Sequence, residues 1–152
     1  MQRTAVLVLA LIVGLSAAGS TLISSDAAAA GLKRADFLGE TITSHARHNA
    51  GWAVHSGDHR GHPFIIVDKV FARAFAFDAS GRLIASTPVL VGMAVGDTFP
   101  PGVAAMDMYQ TQPSQRITPA GRYFAEEDRN LKGQRVLWVD YDAGIAIHKI
   151  PA

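Results

Sequence analysis

Six histidines and no cysteine define the side-chain chemistry open to this 152-residue chain. An imidazole titrates near neutral pH, so it can take a proton from a nucleophile or give its lone pair to a metal. Five of the six, His45, His48, His55, His59 and His62, crowd one short stretch. His45 and His48 are spaced to meet on one face of a helix, and His59 and His62 lie near each other on a loop. Neutral imidazole is a common zinc and copper ligand, which makes a metal site one interpretation of the cluster. The spacing fits no strict ligand pattern, however, and few well-placed carboxylates accompany it. Solvated surface histidines are the simpler interpretation, and neither metal nor cofactor is expected.

His148 stands apart from that cluster. It closes the run Gly144-Ile-Ala-Ile-His148, in which strand alternation puts Ile145 and Ile147 on one face and Ala146 and His148 on the other. A histidine at a strand end beside an alanine has access to a cleft and can serve there as a general base. Taken alone, such a position more often holds an edge histidine satisfied by its neighbours. The chain offers no thiol for such a base to activate, and no serine sits in an activated Gly-x-Ser-x-Gly turn.

The elements that must position His148 are short strands with turn punctuation. Phe64–Val67 is a continuous apolar run of strand length, and Ala72–Phe77 alternates large and small residues. Asp78–Gly81 reads as a hairpin turn, and Arg82–Gly92 as a returning strand whose Pro88 belongs on an edge or at a bulge. A long insertion, Gly96–Gln115, carries a possible helical turn at Ala104–Tyr109 and is long enough to be functional. Thr118-Pro-Ala-Gly121 reads as a tight turn feeding a strand at Arg122–Ala125. A charged turn at Asn130–Gly133 precedes the last two strands, which are joined by Tyr141-Asp-Ala-Gly144. Before all of these, Gly31–Ala50 is weakly helical, with Asp36 as a candidate cap, and Gly51–His62 reads as loop. The class expected is β-rich and antiparallel, with a short N-terminal helix.

Composition narrows the partners. Fourteen basic and thirteen acidic residues give a net charge of +1, which is no electrostatic footprint for nucleic acid or an anionic membrane. The N-terminus has the three parts of an export signal: Arg3, the apolar run Ala5–Ala18, and Ala28-Ala29-Ala30 in A-x-A form before Gly31. The run is shorter than the roughly 20 residues of a membrane span. Residues 1–30 are therefore expected to be a signal peptide, cleaved after Ala30 or after Ala18. That leaves an exported, periplasmic chain with no stable membrane span and no disulfide framework.

From Trp52 to His148 the chain resembles the catalytic domain of bacterial L,D-transpeptidases, in particular the branch exported in Gram-negative bacteria. The resemblance is carried by Ser56-Gly-Asp58, Pro63-Phe-Ile-Ile-Val-Asp-Lys69, Phe75-Ala-Phe-Asp-Ala-Ser-Gly-Arg-Leu83 and Pro88-Val-Leu-Val-Gly92. It continues in Thr118-Pro-Ala-Gly-Arg122 and in Leu137-Trp-Val-Asp-Tyr141 followed by Ile147-His148. The segments are short, and their order and spacing over most of the chain after Ala30 carry the likeness. It implies an antiparallel, sandwich-like L,D-transpeptidase domain that cuts the bond before the terminal D-residue of a peptidoglycan stem peptide and passes the acyl group to an amine. In that family a Ser/Thr-x-Gly-Cys segment supplies the nucleophile and a histidine is its base. His148 matches that histidine. The cysteine segment matches nothing, and Lys149 stands where many relatives have glycine.

The expected organisation is thus a signal peptide (1–30), a helical and loop lead-in (31–62) and a partial transpeptidase-like domain (63–152), incomplete at its C-terminus. Acyl transfer is expected to be absent from the chain as it stands, and peptidoglycan stem peptides are the expected partners. A non-catalytic exported peptidoglycan-binding module is the alternative, with a periplasmic histidine-rich metal-binding protein as a third. The sequence carries no mark of oligomeric state.

Overall fold

The computed structural model describes the backbone of residues 5–10, together with residues 33–103, 106 and 110–150. The described elements are, in order, β1 (Ala5–Ala10), α1 (Ser44–Ser56), β2 (Phe64–Asp68), β3 (Arg73–Phe77), β4 (Leu83–Pro88), β5 (Arg122–Arg129), β6 (Arg135–Asp140) and β7 (Ile145–Ile147). Two antiparallel three-stranded sheets, β4-β3-β2 and β5-β6-β7, make up most of the fold. β1 lies between them, parallel to β2 and antiparallel to β5, so that one seven-stranded order results.

The meander β2-β3-β4 follows from its turns and its apolar pattern. Asp78 Oδ1 accepts the backbone N–H groups of Ser80 and Arg82 and the Ser80 hydroxyl, and Gly81 takes φ 85° to close the hairpin. Pro88 ends β4, which is an edge strand, so its missing N–H breaks no ladder. β2 is apolar at successive positions because both of its faces are covered. Phe64 and Ile66 pack with Phe75, Phe77 and the alanines of α1, while Ile65 and Val67 pack against the cluster around Ala125 and Val139. Phe64 stacks on Phe77 at 4.7 Å, and Phe37 meets Phe77 edge-on at 5.3 Å. Each fully buried phenylalanine contributes about 1.5–3 kcal/mol relative to exposure.

α1 lies further along the chain than its expected place between Gly31 and Ala50, and it runs through Gly51. Ala46, Ala50, Ala53 and Val54 recur at helical spacing and are all buried, so packing offsets the weak propensity. Asp36 caps no helix. It forms an isolated bridge with Arg82, and its carboxylate accepts the Leu38 N–H. Thr43 is the N-cap, accepting the Ala46 N–H at 3.1 Å, and Gly57 ends the helix at φ 68°. The Thr43 hydroxyl also donates to the buried Asp68 at 2.6 Å. Asp68 accepts the backbone N–H groups of Val70 and Phe71 as well, so one carboxylate ties the helix start to the β2–β3 turn.

β1 occupies part of the stretch expected to be an export leader. A continuous apolar run of this length satisfies the core of a leader and a central strand alike, and periodicity does not separate the two. The remainder of that segment, residues 1–4 and 11–32, lies outside the described residues, as does most of the expected helical turn at Ala104–Tyr109. Among the described residues, no helix is long and apolar enough to cross a membrane.

Candidate functional site

A cleft of about 780 Å³ opens beside β7. One wall is β7 and its preceding turn, with Tyr141, Asp142, Ala146 and His148. The other is Val91, Gly92 and the run Arg116–Pro119, and Phe99, Val103 and Met106 of the long insertion close one end. Ala146 and His148 both line the cleft, Ile145 borders it as well, and Ile145 and Ile147 pack against the cluster around Ala125 and Val139.

The wall opposite His148 is held by backbone contacts that only particular residues permit. A Cβ on Gly92 would stand 2.2 Å from the Arg116 carbonyl oxygen, so the two segments approach as closely as they do because position 92 is glycine. Gly92 N–H then donates to the Thr118 hydroxyl at 2.7 Å, and Ala94 N–H to the Arg116 carbonyl at 3.0 Å. Thr118–Gly121 is irregular and carries no turn. Its backbone is engaged outward, with Ala120 N–H donating to the Asp97 carbonyl at 2.9 Å. Lys69, at the end of β2, reaches across to the Gly96 carbonyl at 2.5 Å and to the Asp97 carboxylate at 2.6 Å. The start of the insertion is therefore fastened to the sheet, and its Phe99 and Val103 reach the cleft from that anchor.

The base candidate is oriented by its own neighbour. His148 Nδ1 lies 2.9 Å from the Lys149 carbonyl oxygen. A carbonyl has no proton to give, so Nδ1 is the donor, and the neutral ring keeps its lone pair on Nε2. That is the tautomer a general base needs. Below the turn, Asp140 accepts the Ala143 N–H at 3.0 Å and fixes the loop that carries Tyr141 and Asp142. Burial, and then the Asp140 carboxylate, push the Tyr123 phenol above its ordinary range. Tyr141 is braced edge-on by Trp138 at 5.0 Å.

Arg116 is the cationic wall residue that sequence reasoning missed. It has no motif of its own, and only its close approach to Gly92 brings it to the cleft. Its Nε donates to the Thr111 carbonyl at 3.1 Å, which holds the guanidinium at the mouth.

The five clustered histidines are dispersed. His45 is exposed on α1, and His48 and His55 line a separate, smaller pocket. His59 is buried, with Nδ1 donating to the His62 carbonyl at 3.1 Å and its ring 5.4 Å from Phe64. Among the described residues, no three histidine, aspartate or glutamate side chains are grouped to hold a metal ion. The interpretation of the cluster as a metal site thus has no assembled ligand set. Compared with known proteins, the chain matches no family model, no curated protein and no solved structure.

Proposed function

We propose that this chain is a cell-envelope domain of the L,D-transpeptidase type that binds a peptidoglycan stem peptide in the His148 cleft. The observation that carries the proposal is His148 itself. It lines an open cleft wide enough for a short peptide, with its Nδ1 proton committed to Lys149 and Nε2 left as the basic nitrogen. The surrounding chemistry suits a peptide with free carboxylates. Arg116 and His148 offer cationic and hydrogen-bonding groups, Thr118 offers a hydroxyl, and Phe99, Val103 and Ile117 offer apolar contact.

Acyl transfer in the family needs a thiolate that a histidine deprotonates, and these 152 residues contain no cysteine. The function proposed for the chain as it stands is therefore recognition without acylation, with His148 in the position of the family's base.

The test is calorimetric titration of the full chain with a soluble stem tetrapeptide ending in a D-residue, paired with intact-mass measurement. Saturable binding with no covalent adduct is expected. Ala146→Phe, which puts a ring into the cleft, should abolish it, and His148→Ala should weaken it. The proposal fails if no saturable binding is found, or if binding is indifferent to both substitutions.

A further inference from the structure

The outer face of α1 borders a second pocket. Opposite the buried alanine stripe, the helix presents Arg47, His48, Gly51, Trp52 and His55. Lys33 and Arg34 come up beside them, and together they bound a pocket of about 420 Å³, within the range of small-ligand sites. Its lining holds three permanent cations and two imidazoles and contains no carboxylate. The chain as a whole is nearly neutral, so this lining is positive against a balanced background.

Among the described residues, the nearest acids in sequence are committed elsewhere. Glu40 pairs with Arg73 and accepts from Ser86, Asp58 pairs with Arg122, and Asp36 accepts from Leu38. Among the described residues, Lys33, Arg34 and Arg47 take part in no ion pair. Arg47 lies over the Phe37 ring at 4.9 Å, which holds its guanidinium against the pocket floor.

Two further features are not explained by folding. Trp52 leaves 41 % of its surface in water, although an indole is large enough to contribute heavily to any core. Gly51, one position before it, lies inside the helix, where glycine costs about 1 kcal/mol relative to alanine. Its φ is not positive, and nothing lies within 4 Å of where its Cβ would stand. Neither backbone conformation nor crowding calls for glycine there. What glycine does provide is open space in the lining that it shares with Trp52.

We propose that this pocket binds an anionic saccharide. The apolar C–H face of the sugar lies in the open space at Gly51 against Trp52, and its carboxylate or phosphate meets Arg47, Arg34 and Lys33. A pyranose ring presents slightly positive hydrogens to the negative face of an indole, and a guanidinium receives an oxyanion through paired N–H donors. The site uses no residue of the His148 cleft and does not depend on what that cleft binds.

The experiment uses the full chain carrying Trp138→Phe, so that Trp52 is the remaining indole, and follows its fluorescence. Glucuronate, glucose 6-phosphate, uncharged glucose and inorganic phosphate are titrated separately. Saturable change with the two charged sugars is expected, at affinities about tenfold or more above those for glucose and for phosphate. Arg47→Gln should weaken the charged sugars toward glucose. Gly51→Leu should abolish binding while leaving the thermal midpoint equal or higher, because it removes a helical glycine, and so separates loss of the site from loss of the fold. Equal response to glucose would overturn the anionic part of the proposal. Equal response to phosphate would overturn the saccharide part, and no saturable response to any of them would overturn both.

Discussion

Cleavage after Ala30 would take β1 out of the middle of the sheet, and the size of the consequence can be worked from the pairing. β1 is in register with four residues of β2 and five of β5. A strand paired on both sides over this length makes on the order of eight ladder hydrogen bonds. Each contributes about 1 kcal/mol net, because water replaces the lost partner. The loss is then about 8 kcal/mol, against a total stability of about 5–15 kcal/mol for a domain. It also exposes the edges of β2 and β5, both of which invite pairing with another chain. A chain of residues 31–152 should therefore lose its cooperative thermal transition, bind a hydrophobic dye and associate at micromolar concentration, while the full chain unfolds in one step. Amide exchange should locate the loss, with β2 and β5 exchanging fast and α1 retaining some protection. A 31–152 chain that unfolds cooperatively within a few degrees of the full chain would refute this. It would mean that β2 and β5 hold their sheets together without a strand between them.

Other perturbations test single contacts. Asp68→Ala leaves the Thr43 hydroxyl and two backbone N–H groups without their acceptor at a buried position, and should cost about 2–4 kcal/mol in urea unfolding. Gly92→Ala should be more disruptive than its size suggests, because the new methyl meets backbone at Arg116 and cannot be relieved by a rotamer. A lowered thermal midpoint and loss of cleft binding are expected together. The Asp78 carboxyl is held below its ordinary value, first by the Ser80 hydroxyl and then by the Arg82 backbone N–H. Its contribution is therefore complete above the unfolded carboxyl value and is lost as pH falls through the folded one. Asp78→Asn should flatten the acid limb of stability below about pH 4. Tyr123 works in the opposite direction. Its phenol is raised, so the contribution is complete below the unfolded tyrosine value and is lost as pH rises through the folded one. Tyr123→Phe should therefore reduce the alkaline fall in stability above about pH 10.

The meander was legible in the sequence because its signals are local. The Asp78–Gly81 turn, the phenylalanine alternation of β3 and the edge position of Pro88 each need only a few neighbouring residues to be read. The same holds for Asn130–Gly133, where Gly133 takes φ 74° and Asn130 N–H meets the Gln134 carbonyl at 2.9 Å. The helix was misplaced because its strongest signal is a row of alanines, which reads as apolar only when something covers it. Gly51 then argued for a break inside a segment that packing keeps helical. Thr118-Pro-Ala-Gly121 has the composition of a turn, yet its hydrogen bonds go to Gly92 and Asp97, and no local pattern announces partners that distant in sequence.

The same division between local and distant signals runs through the cleft. His148 could be singled out because two facts beside it were readable: alternation with Ala146, and a position at a strand end. The opposite wall could not be, since it exists only where Gly92 lets two separate segments touch, and Arg116 acquires its place from that contact. Lys69 is the sharper case. In sequence it is one more charge after an apolar strand. In the fold it holds Gly96 and Asp97, and the Asp97 carbonyl in turn accepts the N–H of Ala120, next to Pro119 of the cleft wall. A mostly buried cation with two short bonds to one loop contributes through geometry, by deciding where the insertion leaves the sheet. A cleft assembled in this way depends on residues that carry no chemistry of their own, and motif reading passes over them for that reason.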